Sequence, residues 1–463
     1  VGTTLVRGGT LVLPDGARAG DLLVDGERIA SIEAPGAIPA SAADRVVEAD
    51  GLLVLPGVID AHTHTRIPSD DEPDRFFQDS VAAAFGGTTT FLSFNNPGTG
   101  ISEAAQARLR HGIDEWLDRT AGESAIDFGL SAVITAQQVD PMADLAYAIE
   151  RGVATFKAFM VYDFGIEPER LRPMLRRVAD LGGLLELHCE DRGELDREIN
   201  SLVSSGHTKP ADHARSRPAN VEAAGTADAV RWALEEDAPL YVVHLSCTEA
   251  LAAANVGRAA GARVHVETCP HFLALGSDRY EGGDEETIRY VVSPPLRTAA
   301  DRATLWAGIA DGSVDVVATD HVPDRLAVEK RYVGQPFPQI SNGAPGIETL
   351  LTVVYSEGVA TGRITLERMV EVLSAAPARI FGLAGKGSLA VDNDADLVLF
   401  DPFAERTIHA ADLHHTSDYT PYEGLTVNGA VRLVIVRGRH VIRDGRFVGS
   451  RGGGTYQERS LEN

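Results

Sequence analysis

Residues 58–64 read VIDAHTH, an apolar run that ends on His62 and His64. Alternate side chains of a β-strand share a face, so the two histidines point the same way, and Asp60 with them. Working outward, four further apolar runs carry one comparable group each near their ends: Lys157 in TFKAFM, His188 in LLELHC, His244 in LYVVHLS and Asp320 in DVVATDH. Metal-competent groups closing buried β-runs describe the rim of a parallel barrel, where such folds place their chemistry.

The pattern around these runs agrees. Apolar β-runs fall near 58–64, 88–94, 127–134, 155–160, 184–189, 240–245, 263–268 and 314–320, separated by segments of helical spacing such as PERLRPMLRRVADLG and NVEAAGTADAVRWALEE. Eight strands alternating with helices predict an α/β fold, a (β/α)8 TIM barrel, over residues 56–385. Residues 1–55 read as short strands, with Asp-Gly turns at 15–16, 25–26 and 50–51. Strand character returns over 386–450, in KGSLAVDNDADLVLFDP and AVRLVIVRGRHVIRDGRFVG. The two chain ends are therefore expected to build one small β-sandwich, with the barrel inserted between them. Residues 451–463, glycines followed by polar residues, read as a mobile tail.

Composition narrows the class. With 67 acidic against 42 basic residues the formal charge is −25, which repels nucleic acid and anionic membranes. No run of ~18 uncharged apolar residues is present to span a bilayer. The first residues, VGTTLVRGGTLVLPDG, lack the basic-then-apolar layout of a secretory signal. Cys189, Cys247 and Cys269 form no C-x-x-C pair and read as reduced, packed thiols of a cytoplasmic protein.

Lys157 is the unusual member of the set. A lysine inside an apolar run is costly if charged and unpaired. Either it reaches the strand end and pairs with a carboxylate, or it is a neutral amine that adds carbon dioxide to become a bridging carbamate. Beside four histidines and Asp320, the carbamate is the preferred reading. Two divalent cations against carbamate, aspartate and hydroxide leave a small positive excess, suited to polarising a carbonyl. Asp320, with a second free oxygen, is placed to take a proton from the bridging water and pass it to the leaving nitrogen. His321 faces the other side of its strand and is the lesser proton carrier. His207, His213, His265, His271, His414 and His415 read as structural.

In combination, PGVIDAHTH, AAAFGGTTT, FKAFMVY, GHTKPADHARSRP, PLYVVHLSC, SPPLR, TDHVP, NGAPGIE, KGSLAVDNDADLVLFDP and PYEGLTVNGAV resemble the cyclic amidohydrolases, most closely their dihydropyrimidinase and D-hydantoinase branch. The resemblance runs from about Val6 to Val448. It implies hydrolysis of a cyclic amide or imide, such as a dihydropyrimidine or 5-substituted hydantoin, at a binuclear zinc-type site. Lys157 would be N6-carboxylysine bridging the metals. His62, His64 and Asp320 would hold one, and His188 and His244 the other. By the same motifs Tyr162 would donate to the developing oxyanion, and Ser293 and Asn342 would bind the ring amide through backbone groups. Relatives imply a homotetramer, or a homodimer.

Two positions depart from the hydantoinase pattern. Arg66 falls where dihydroorotases place an arginine that grips a substrate carboxylate, and Asn96 matches an asparagine that helps there. Arg66 is thus expected either to read an anionic ring substituent or to balance Asp70, Asp71, Glu72 and Asp74. Dihydroorotase or allantoinase activity is the alternative function. A non-catalytic dihydropyrimidinase-like scaffold is disfavoured because all six ligand positions are intact.

Overall fold

The computed structural model describes residues 2–461. Eight parallel strands follow one another around the barrel: β1 (Val58–Thr63), β2 (Thr88–Phe94), β3 (Asp127–Val133), β4 (Thr155–Phe159), β5 (Leu184–His188), β6 (Leu240–Val242), β7 (Val264–Thr268) and β8 (Val316–Val317). They pair in chain order, and the mouth closes where Thr63 bridges His321 and the His64 amide donates to the His321 carbonyl at 2.7 Å. The expected barrel is therefore present. Its helices form for the reasons the spacing suggests. Helix Pro168–Asp180 starts on a proline that needs no amide partner and buries Leu171, Met174, Leu175 and Val178, a stripe of i, i+3, i+4 and i+7.

The sixth and eighth strands stop earlier than their apolar runs. His244 and Asp320 follow those strands with φ of 39° and 51°, in the left-handed region that ordinary residues avoid. Such a backbone costs about 1–2 kcal/mol per residue, and here it turns both side chains out of the ladder and into the mouth.

The chain ends form one nine-stranded mixed sheet. Strand Leu53–Pro56, which leads into the barrel, pairs antiparallel with Leu397–Thr407, which follows it, and so ties the two ends together. Val6, Leu22, Ile29, Val54, Leu397 and Ile435 share the core of this sheet. Lys386 joins it to the barrel. Its ammonium lies 2.8 Å from Asp127 and Asp396 and 3.0 Å from Asp394.

The C-terminal segment differs from its expectation. Residues 452–461 do not hang free; they run across the bottom of the barrel, with Tyr456 bridging Phe128 and Arg459 buried. Backbone pairing and isolated side chains such as Tyr456 and Arg459, rather than a periodic apolar pattern, hold them there, and that leaves little trace in composition. Residues 462–463 of the expected tail lie outside the described residues. Among those described, no helix is long and apolar enough to cross a membrane.

Candidate active site

A cavity of about 320 Å³ opens at the barrel mouth, and His64, Lys157, His188, His244 and Asp320 reach it from β1, β4, β5, β6 and β8. His62 lies just beneath, fully buried. Asp320 Oδ1 is 3.0 Å from His62 Nε2 and 3.1 Å from His64 Nε2. The His188 and His244 rings are 4.6 Å apart, and His244 is 5.5 Å from His62. All six candidate ligands thus meet in one place.

The far ring nitrogens are already engaged. His62 Nδ1 meets Glu267 at 2.6 Å, His64 Nδ1 meets Asn96 Oδ1 at 2.6 Å, and His188 Nε2 meets Glu190 at 2.6 Å. Partners of this kind fix ring orientation and leave the opposite nitrogen for a metal. Lys157 Nζ and His244 Nδ1 are buried with no hydrogen-bond partner among the described residues. Lys157 Nζ has instead the rings of Phe94 and Phe159, each at 5.0 Å. Ligating atoms of His62, His64 and Asp320 lie within 4.8 Å of one another. This donor set of imidazoles and a carboxylate fits divalent cations.

Electrostatics point the same way. Burial pulls His64, His188 and His244 below their ordinary values, which leaves the neutral imidazole that metals bind. Burial also lowers Lys157. Burial opposes charge on His62 too, but Glu267, with Asp320 adding, lifts it to about 9. His62 Nε2 faces Asp320, on the side a cation would take. Asp320, despite burial, is held well below the usual carboxylate range by His62 and His64.

Around this centre stand the other expected residues. Tyr162, at φ 73°, sets its ring 5.5 Å from His188, and burial raises its phenol so that it stays a donor at neutral pH. Ser293 Oγ donates to Asn342 Oδ1 at 2.8 Å, with His213 Nε2 at 3.2 Å from the serine. His321 turns away: its Nδ1 accepts from the Gly346 amide at 3.1 Å.

Arg66 and Asn96 line the cavity but are placed differently from their expectation. The Arg66 guanidinium is paired with Asp324 at 2.5 Å, not with the acidic residues of its own loop, and Asp324 also accepts from Ser341. Asn96 directs its oxygen to His64 and donates from its amide to the Pro97 carbonyl at 3.0 Å, so it stands behind a candidate ligand.

Sequence reasoning missed the carboxylates behind the histidines. Glu267 also accepts from the His244 amide and the Tyr241 hydroxyl, both at 2.9 Å. Glu190 is ion-paired with Arg217, and against burial Arg217 and His188 hold it down at about 2. The helix bearing Gly225 presses on this point, where a Cβ would lie 2.6 Å from the Glu190 amide. One signal was available: Glu267 and Glu190 are acids set in or just beyond apolar runs, as the ligands are.

Fold and mouth together define a barrel hydrolase. Residues 53–441 match the amidohydrolase family, and the chain belongs to it. It is 36% identical to a D-hydantoinase of Streptomyces coelicolor over 99% of this chain and 98% of that one. It is 35% identical to a D-phenylhydantoinase of Escherichia coli over 98% of each. Among solved structures, a dihydropyrimidinase from Brevibacillus agri superposes with a TM-score of 0.92 at 34% identity, covering 100% of both chains. An L-hydantoinase from Arthrobacter aurescens does so at 0.88 and 28%, covering 98% of this chain and 99% of that one.

Proposed function

We propose that this protein hydrolyses the C–N bond of a cyclic amide or imide, a dihydropyrimidine or a 5-substituted hydantoin, with neutral ring substituents preferred. The observation that carries the reading is the convergence of four histidines, Lys157 and Asp320 on one cavity. His62, His64 and Asp320 would hold one divalent ion and His188 and His244 a second, both zinc, with Lys157 carboxylated between them. When bound, such ions supply a water nucleophile at neutral pH and polarise the carbonyl.

The chain's own residues do the rest. Asp320 accepts the proton of the attacking water and returns it to the ring nitrogen as the bond breaks. Tyr162 donates to the carbonyl oxygen as it gains charge. Backbone groups of Ser293 and Asn342 hold the ring amide. Because Asp324 neutralises Arg66, and Asn96 is committed to His64, the features that favoured a dihydroorotase-like acidic substrate lose their force. Both D- and L-hydantoinases are among the relatives, so kinship leaves the enantiomer open. The assembly is proposed to be a homotetramer, which light scattering tests; a stable monomer at micromolar concentration would contradict it.

The test is a substrate panel on metal-loaded enzyme: dihydrouracil, dihydroorotate, allantoin, and neutral and carboxylate-bearing hydantoins. Ring opening of dihydrouracil or a neutral hydantoin, with two metal ions per chain by elemental analysis, is expected. Turnover of dihydroorotate alone would sink the proposal.

A further inference from the structure

The cavity wall that carries Ser293 and Asn342 is built from two stretches of chain far apart in sequence, 291–293 and 341–343. A third stretch, the one that follows β8, joins them. Lys330 lies on it, 1% exposed, and its side-chain nitrogen donates to the Val291 carbonyl at 2.8 Å and to the Gly343 carbonyl. Burying a cation among neutral carbonyls is costly. Burial pulls this amine down to about 7, against the pull of Asp324, and a neutral amine still keeps two protons for the two carbonyls.

What those two bonds fix is a single peptide unit. The Gly343 amide donates to the same Val291 oxygen at 3.0 Å. That amide and the Asn342 carbonyl belong to one planar trans unit, in which N–H and C=O point opposite ways. Anchoring the N–H on Val291 therefore sets the aim of the Asn342 carbonyl. Gly343 has a φ of 115°, and a Cβ there would lie 2.4 Å from Val322, so the turn calls for glycine. Its own carbonyl is held from two sides, by Lys330 and by the Tyr419 hydroxyl at 3.2 Å. Tyr419 is buried as well, and the Lys330 nitrogen stands 5.9 Å from its ring. Lys330 thus fixes both the oxygen that receives the Gly343 amide and the next carbonyl along the chain.

We propose that Lys330 is a positioning residue for the substrate ring, tying Val291 to Gly343 so that the Asn342 carbonyl and Ser293 stand where the ring amide meets them. It stands behind the cavity lining and acts through it. This rests on the cyclic-amide reading given above.

The experiment compares kcat and KM of metal-loaded wild type, Lys330→Met and Tyr419→Phe on the neutral ring that wild type opens fastest, with metal content and thermal midpoint measured beside them. Lys330→Met should raise KM about ten-fold, the worth of one hydrogen bond, while kcat falls by about two-fold at most and metal content holds. Tyr419→Phe keeps Lys330 and removes the other donor to Gly343, so KM should rise in the same direction, by about three-fold. A lysine that only packs predicts a lower midpoint with KM unmoved. An unmoved KM in Lys330→Met, or metal lost in step with activity, would overturn the inference and leave the cyclic-amide reading standing. Wild type that opens no cyclic amide would overturn that reading and this inference with it. Should Lys330→Met not fold, Tyr419→Phe decides: a raised KM at kept kcat supports the inference, and an unmoved one refutes it.

Discussion

Asp320 stands 3.0 and 3.1 Å from two imidazoles, the geometry behind its proposed part as ligand and proton carrier. Asp320→Asn should keep part of any bound metal yet lose turnover by several orders of magnitude, which steady-state kinetics beside elemental analysis will show. Tyr162→Phe removes one donor to the oxyanion, for which a loss of ~10²–10³ in kcat is typical. Full turnover in that variant on every accepted substrate would reassign Tyr162 to packing. Arg66 carries the more particular prediction. With Asp324 in place, Arg66→Met should lower kcat/KM about equally for neutral and carboxylate-bearing hydantoins. Asp324→Asn should unmask the guanidinium and shift preference toward the acidic ring by about ten-fold, the worth of a hydrogen bond to a charged group. The candidate ligands were legible because each closes an apolar run. Asp324 was not, since it lies 258 positions from Arg66 in the chain. Glu267 carried only the weak signal of an acid in an apolar run, and Asn96 was read toward the substrate; their contacts with His62 and His64 emerge only when the fold brings β7 and β2 beside them.

At the level of elements, the segments that follow β1 and β8 are stapled to each other by charge. Arg325 meets Glu72 at 2.6 Å and Glu329 at 2.7 Å, while Arg75 meets Glu329 at 2.8 Å. Burial works against ionised Glu329, but its bonds to Arg325 and Arg75 outweigh this and hold it well below the ordinary carboxylate range; Glu72 is lowered too. Groups depressed in this way add stability that is fully present above the unfolded-state value and is lost as pH falls through the folded-state one. Hydrogen exchange over residues 68–75 and 322–330 should therefore quicken in acid, below the usual carboxylate range, and not between neutrality and mild alkali. Uniform exchange across the acid range would show that the pairs do not hold the loops. The strands themselves were legible from apolar runs, except where β6 and β8 end early. There the left-handed turns at His244 and Asp320 override the run, and no propensity announces a backbone bent for function.

For the molecule as a whole, barrel and sheet share an apolar core, and a buried ionic joint is set beside it. Lys386, 1% exposed at its side chain, sits among Asp127, Asp394 and Asp396. Three acids so placed resemble a cation site, but the ammonium already fills it. Lys386→Met leaves buried carboxylates without their counter-ion and should cost about 3–5 kcal/mol, read as a fall in thermal or denaturant midpoint. An unchanged midpoint would mean the neighbouring Arg437, 3.1 Å from Asp127, carries the joint alone. The pairing of the two chain ends was legible from strand patterns on either side of the barrel. The docking of residues 452–461 was not, because main-chain bonds and a few scattered side chains, Tyr456, Arg459 and Leu461, make it without an apolar period.

That docking also bears on how the protein is made. A ribosome delivers the N-terminal strands first and their partner Leu397–Thr407 only after the barrel has emerged, so one sheet edge waits open through most of synthesis. Residues 455–459 come later still. Every candidate ligand has then long left the exit tunnel, yet the bottom of the barrel is unsealed. The nascent barrel is thus complete only once residues 455–459 dock against it, long after its candidate ligands have met.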